Sequence, residues 1–533
     1  MKARLRQCRP SRNEILSNGR RILFSCSSTK AQSKGNTEMG GEVNPPEHNV
    51  PPLAQVGPKR TSGVALITMA AAILQILYLL CLPFCKCQQI WDVWQTTWDR
   101  SQLLTSLRPS SPINFVQPGP IGEADIAVDD RAQYQVMLGF GATLTDASAL
   151  VLNNLKKRNP SNYWALMNTA FNPSTSGSGA GLNYIRVPIG ASDFSANVYS
   201  LNDYKGDESM SRFDITQVPS HVFAVLRDVM AINEYLKLHL VPWSPPGWMK
   251  DSQTMNGGNM LERYIPAYAR YLLRAVQGFQ SQGVPIYAIS IQNEPQNSNP
   301  TYPTCLMTPD VEAGIVVALR NALDSTGLGR IKIVGYEHNW DNAAWYPGEI
   351  DIYFTECSGT YGSDWWDDIK WYMDNLWVGS VERFARTGLM WNIALDGAGN
   401  PKLPGTNSCG GPGCRPLVTV NNDGSYVFNQ EFYAMAQASK AILPQDDGGP
   451  FGQRIGTAMK GGKGWALRVS AFVTRRSSQA EWARYSLVVL NWNDGGSNGW
   501  NPVPLKTTIS FRGMQATYTF PVGVTTLLWY APA

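Results

Sequence analysis

Two glutamates stand where they could do acid–base or nucleophilic chemistry. In YAISIQNEP (residues 287–295) an alternating apolar run stops at Asn293-Glu294-Pro295. The alternation predicts a buried strand. Pro295 has no N–H with which to continue a ladder, so the strand ends there and leaves Glu294 at its tip. Glu356 has the same setting in IYFTECSG (residues 352–359), after alternating apolar residues and before a glycine-bearing loop. A single strand-end Glu reads equally well as a solvated loop residue. Two at equivalent strand ends can cleave an acetal: one carboxyl protonates the leaving oxygen and the other attacks the anomeric carbon, which needs them about 5 Å apart in the retaining mechanism.

Such a pair needs a frame that aims several strand ends at one point. Over residues 136–445, strand-like runs such as LNYIRVPIG, KLHLVPWSPP, RIKIVGY and GLMWNIALD alternate with helical patterns such as SHVFAVLRDVMAINEY, ERYIPAYARYLLRAVQGFQSQG and TPDVEAGIVVALRNALDSTGLG. This alternation predicts an α/β fold with a parallel sheet, a (β/α)8 TIM barrel. In such a barrel the chemistry lies on the rim at the strands' C-terminal ends. Other polar and aromatic residues fall on that rim. Asn293 precedes Glu294, Arg186 and Asp193 bracket the loop of RVPIGASDF, Trp243 lies in PWSPPGWMK, and Trp391-Asn392 closes LMWN. Core packing accounts for one or two such Trp, but not for rim placement on strand after strand.

Six stretches follow one another in a set order: GFGATLTDASA, IRVPIGASDFS, PWSPPGWMK, ISIQNEP, FTECSG and LMWNIALD. In this the chain resembles glycoside hydrolase family 30 over residues 88–533. The resemblance implies that Glu294 is the acid/base and Glu356 the nucleophile. It places sugar-binding positions on Arg186, Asp193, Trp243, Asn293 and Trp391, to which the neighbouring Asn392 is added. SGTYGSDWWDDIKWYMDNLW and LPGTNSCGGPGCRPLVTV look like the fungal endo-β-1,6-glucanase branch. A β-glucan polysaccharide is therefore the expected substrate, no metal or organic cofactor is implied, and a monomer is expected. Glucosylceramidases share the same motifs, which keeps a glycolipid as the second substrate class.

The resemblance has one departure. Two further strands and three helices should separate the fourth strand from the seventh, roughly 90 residues at the usual length of a βα unit. Glu294 and Glu356 are only 62 positions apart. RIKIVGY supplies a fifth strand and IDIYFTECSG reads as the seventh, so the barrel is expected to lack its sixth. A catalytically impaired barrel that binds carbohydrate is the alternative this raises.

Composition limits the rest. After residue 446 short strands parted by turns predict a small antiparallel β-sandwich, to which residues 88–135 add strands. Residues 1–62 are polar, Ser/Pro/Gly-rich and without periodicity, which predicts disorder. Up to residue 60 there are eleven Lys and Arg against four Glu, so most of the formal charge of +4 is local to this tail. No basic stripe is left for nucleic acid. Residues 63–87, GVALITMAAAILQILYLLCLPFCKC, read as a secretory signal or as a membrane anchor if retained. Beyond residue 87 only four Cys remain, two of them in SCGGPGC, where a Cys409–Cys414 disulfide suits an oxidising compartment. Four His and no HExxH argue against a catalytic zinc site.

Overall fold

The computed structural model describes residues 88–175, 177–337, 351–478 and 482–533. The basic tail and the expected signal or anchor, residues 1–62 and 63–87, lie outside them. No described helix is long and apolar enough to cross a membrane.

Seven parallel strands build the central sheet: β1 (Gly139–Thr143), β2 (Tyr184–Ile189), β3 (Lys237–Pro242), β4 (Ala288–Ser290), β5 (Lys332–Val334), β6 (Ile352–Phe354) and β7 (Ala385–Met390). Their order is β6-β7-β1-β2-β3-β4-β5, so β5 and β6 are the two edges among the described residues. Residues 338–350 of the connection between these edges are outside the description. Side chains alternate as a pleated strand requires. Ile185, Val187 and Ile189 of β2 join the core shared with the helices, whereas Tyr184 meets Leu138 and Leu389 inside the barrel. Arg186 has the parity of Tyr184 and so points inward.

Four of the outer helices start on side-chain caps. Helix α1 (Asp146–Arg158) opens on Thr145, whose side chain accepts from Ser148 N at 3.1 Å. After α2 (Pro160–Phe171) and α3 (Ser220–Ile232), helix α4 (Ile265–Ser281) is followed by Gly283 at φ +80°. That left-handed conformation costs a glycine little and ends the helix. Helix α5 (Pro309–Ser325) is capped by Thr308, with Pro309 in its first turn. Helix α6 (Trp365–Tyr372) is capped by Asp364. Helix α7 (Gln430–Ile442) is buried along nearly its whole length.

The strands are shorter than the sequence patterns. The ladder of β4 spans only Ala288–Ser290, and Glu294 beyond it takes φ +45°, a left-handed conformation. One isolated parallel bridge, Asn293 to Glu337, carries the pairing to the rim. GLMWNIALD is expected as one strand, but it breaks after Met390, where Asn392 takes φ +58°. Ala394–Leu395 then pairs with Val418–Val420 in a separate small sheet.

A ten-stranded sheet joins Gln89–Thr97 and Ala124–Val136 to the strands of residues 453–531. The expected arrangement is wholly antiparallel, and this is corrected at one place: Leu505–Phe511 runs parallel to Ala124–Val136. The sheet curls, so that Phe511 meets Trp529 of Gly523–Ala531 at 5.4 Å although several strands separate them. Its outer face sits on α7, where Thr526 Oγ1 and Ser486 Oγ donate to the carbonyls of Gln437 and Ala441 at 2.9 and 2.7 Å.

Candidate active site

Arg186 organises the barrel mouth. It projects from β2 and is fully buried. Its Nη1 donates to Glu356 Oε2 at 2.6 Å, and its Nη2 donates to Asn293 Oδ1 at 2.6 Å and to Glu337 Oε2 at 2.8 Å. One planar fork thus gathers groups from the ends of β4, β5 and β6, the recognition geometry guanidinium provides. Its Cζ also lies 4.8 Å over the ring of Trp243. Trp243 stacks on Trp391 at 5.0 Å, and Phe194 meets Trp391 edge-on at 5.7 Å.

The two glutamates have different surroundings. Glu356 lies on the guanidinium and keeps a quarter of its side chain exposed. Burial lifts its carboxyl, and Arg186 opposes that lift. Glu294 has no cation bonded to it among the described residues. Its Oε2 accepts from the Asn297 amide at 2.9 Å, and Asn297 also donates to Tyr302 Oη at 3.2 Å. Burial and the charge of Glu356 push the Glu294 carboxyl up to about 7. The first proton of the pair is lost beside the guanidinium, at Glu356, and the resulting charge helps hold the proton on Glu294 to higher pH. Burial likewise pushes Asp193 up to about 7, against a hydrogen bond from Ser408.

Asn392 is placed differently from the other rim residues. It is fully buried, and its Oδ1 accepts from Thr145 Oγ1 at 2.7 Å and Ser148 Oγ at 3.3 Å. It therefore ties the end of β7 to the first turn of α1. Cys409 and Cys414 form a disulfide whose sulfurs share a cluster with Trp243, Trp391 and Tyr302. The bridge braces the loop that brings Ser408 to Asp193.

Several residues of the site are absent from the sequence reading. Glu337 follows β5 as Glu294 follows β4 and Glu356 follows β6, so the same strand-end rule reaches it. His239, inward on β3, bonds Ser290 Oγ at 2.6 Å, and burial pulls its imidazole down to about 4, keeping it neutral. Asn297 and Tyr302 lie on a loop with no periodic signal.

The description "Glycosyl hydrolase family 30 TIM-barrel domain" matches residues 137–324. An endo-1,6-beta-D-glucanase of Neurospora crassa is 31% identical over 376 residues, 61% of this chain and 74% of that protein. The chain belongs to glycosyl hydrolase family 30. It is a glycosidase. Endo-1,6-beta-D-glucanase BGN16.3 of Trichoderma harzianum is 29% identical over 61% of this chain and 73% of that one. A putative glucosylceramidase of Caenorhabditis elegans is 26% identical over 61% and 70%. The barrel and its side sheet have the fold of a solved endo-beta1,6-glucanase, with a TM-score of 0.66 at 24% identity, covering 83% of this chain and 99% of that one. SrfJ from Salmonella typhimurium matches with a TM-score of 0.70 at 18% identity over the same shares.

Proposed function

We propose that this family 30 enzyme is a retaining β-glycosidase that cleaves β-1,6-linked glucan, with Glu294 as acid/base and Glu356 as nucleophile. One observation carries the roles. Glu356 has a guanidinium 2.6 Å away, which favours the carboxylate that attacks. Glu294 has a neutral amide and rises to about 7, which favours the acid that protonates the leaving oxygen. Arg186, Asp193, Trp243, Asn293 and Trp391 would surround the sugar; Asn392 acts through α1. The names of the fungal relatives support the β-1,6 linkage, and the nematode relative keeps glucosylceramide as the second substrate class.

Digestion of β-1,6-glucan, β-1,3-glucan and glucosylceramide side by side tests the reading. Oligosaccharides released from the β-1,6 polymer with retained anomeric configuration are expected. Glucosylceramide cleavage without release from any glucan would move the substrate to glycolipid, and inverted products would overturn the mechanism.

We also propose that the barrel runs directly from its fifth to its seventh strand, since only 17 residues separate β5 from β6. In this reading residues 88–135 and 446–533 form one side domain on a barrel of residues 136–445, and residues 63–87 direct secretion. Amino-terminal sequencing of the native protein checks the last point: a start near Gln88 is expected, and a retained segment would make it an anchor.

A further inference from the structure

A cleft of about 440 Å3 opens between the side sheet and helix α6. Its walls are Trp98 and Asp99 after the strand Gln89–Thr97, Trp365, Trp366 and Asp367 at the start of α6, and Trp500 in the turn before Leu505–Phe511. Four of the chain's 18 Trp meet here. Among the described residues none of them shares a ring contact with Trp243 or Trp391. Its volume falls within the roughly 300–1,000 Å3 of small-ligand sites.

We propose that this cleft is a second carbohydrate-binding site, one that holds a stretch of β-glucan away from the catalytic centre. The inference rests on the reading of the substrate as a β-glucan. Three features select a neutral polyol over other ligands. First, Trp500 is 53% exposed and is held edge-on by Trp98 at 4.8 Å. A large ring fixed in place and left open to solvent is a platform for the apolar C–H face of a pyranose. Second, acceptor capacity stands beside it. Asp99 receives Thr97 Oγ1, Ser101 N and Ser101 Oγ, all on Oδ1, at 2.6, 3.0 and 2.8 Å. Among the described residues no hydrogen bond falls on its Oδ2, which can accept a sugar hydroxyl. Asp367 holds only a long contact to Lys370, at 3.4 Å. Third, neighbouring cations already cover two of its rings. Arg100 Cζ lies 4.8 Å over Trp365, and Lys370 Nζ lies 5.7 Å over Trp366. An aromatic cage for an ammonium ligand leaves those faces free; here they are taken.

The chain's path makes such a site useful to the enzyme. Asp364, which caps α6 through Trp366 N and Asp367 N at 2.9 Å each, is eight residues beyond Glu356. A polymer held at the start of α6 raises the local concentration of its own linkages at the catalytic centre, as a tether does for any second binding event.

The test uses the full chain carrying Glu356→Gln, so that nothing is cleaved, in native gels containing β-1,6-glucan. Adding Trp500→Ala should weaken retardation by about 5-fold, the loss expected for one stacking partner, while Trp500→Phe should keep most of it. With both glutamates intact, Trp500→Ala should raise KM for the long glucan by a similar factor and leave kcat/KM on an aryl β-glucoside unchanged. Equal retardation of the Trp500→Ala and parent chains overturns the site. So does an equal loss on polymer and aryl glucoside, which would mark a structural role for Trp500. If the unaltered chain cleaves no β-glucan but the gel difference persists, the substrate reading fails and the binding site stands.

Discussion

Arg186 Nη1 and Glu356 Oε2 meet at 2.6 Å, and the same guanidinium holds Glu337 at 2.8 Å on its other nitrogen. One cation is therefore shared between a carboxylate proposed to attack the sugar and another that never reaches it. Glu337 takes part of the positive charge and keeps the ion pair from over-stabilising Glu356, whose carboxyl stays raised by burial.

Removing each glutamate separates their roles. Glu356→Ala should abolish turnover, with azide restoring it as the inverted glycosyl azide. Glu294→Ala should lower kcat on glucan by about 10²–10⁴-fold, the usual worth of a general acid, and much less on substrates whose leaving group needs no proton. Azide should then return the retained product. Product stereochemistry by NMR reads the result; the opposite pairing exchanges the roles.

The alkaline limb of activity should lie near pH 7. Glu294 must hold its proton to act as an acid, and burial with the neighbouring Glu356 charge sets its loss at about 7. Asp193 is pushed to a similar value. The limb in a pH profile of kcat/KM should therefore survive Asp193→Asn; its disappearance in that variant would assign it to Asp193.

Stability should fall as pH rises from about 4.5 to 7. Glu294, Asp193 and Glu312 are each raised to about 7 by burial, and Asp146 to about 6. The folded chain then binds more protons than the unfolded one within that window. Raised carboxyls stabilise below their unfolded values, and the contribution is lost as pH passes the folded ones, at up to ~1.4 kcal/mol per pH unit for each group. His239, pulled down to about 4, works in the opposite sense across the same window, and Glu337, lowered by Arg186, does so at lower pH; the four raised carboxyls outnumber them. Thermal midpoints measured from pH 4.5 to 7.5 should decline; a rise would contradict the shared-proton arrangement.

Glu337→Gln should cost about 3–5 kcal/mol by denaturant unfolding, since it removes one charge of a buried pair. It should also lower the acid limb of activity, because the whole guanidinium then falls to Glu356. A loss of stability with an unmoved acid limb would make Glu337 purely structural.

Replacing Cys409 and Cys414 by Ser should cost about 2 kcal/mol, the loop-closure value for so short a ring. Asp193 should then lose the brace on its Ser408 partner, so KM should rise more than kcat falls. Equal losses in both would place the bridge outside substrate binding.

The order of the barrel strands was legible because alternating runs and helical periods rest on local residues. The two strand-end glutamates were legible for the same reason. What escaped depended on partners far away in the chain. The ladder of β4 spans only Ala288–Ser290, and Glu294 beyond it takes a left-handed backbone that no residue pattern announces. Leu505–Phe511 lies parallel to Ala124–Val136 because of a pairing nearly four hundred residues away, invisible to periodicity. Asn392 reads as a rim residue by position, but its side chain turns to α1. Glu337 falls under the same strand-end rule as Glu294 and Glu356, directly after the apolar run RIKIVGY.

Asn293 bridges to Glu337, and Glu294 N donates to the Glu337 carbonyl at 2.9 Å. Arg186 then reaches across from β2 to Glu337 at one edge of the sheet and to Glu356 at the other. The seam between β5 and β6 is thus stitched by charge where the described ladder has no bonds. A seam of that kind gives way in its own fashion. Acid that protonates Glu337 and Glu356 should loosen the ionic stitches before the ladders, so that the two glutamates separate while the rest of the barrel still holds. The enzyme should accordingly lose activity reversibly at pH values above those that unfold it, with its catalytic centre serving as the clasp of its own barrel.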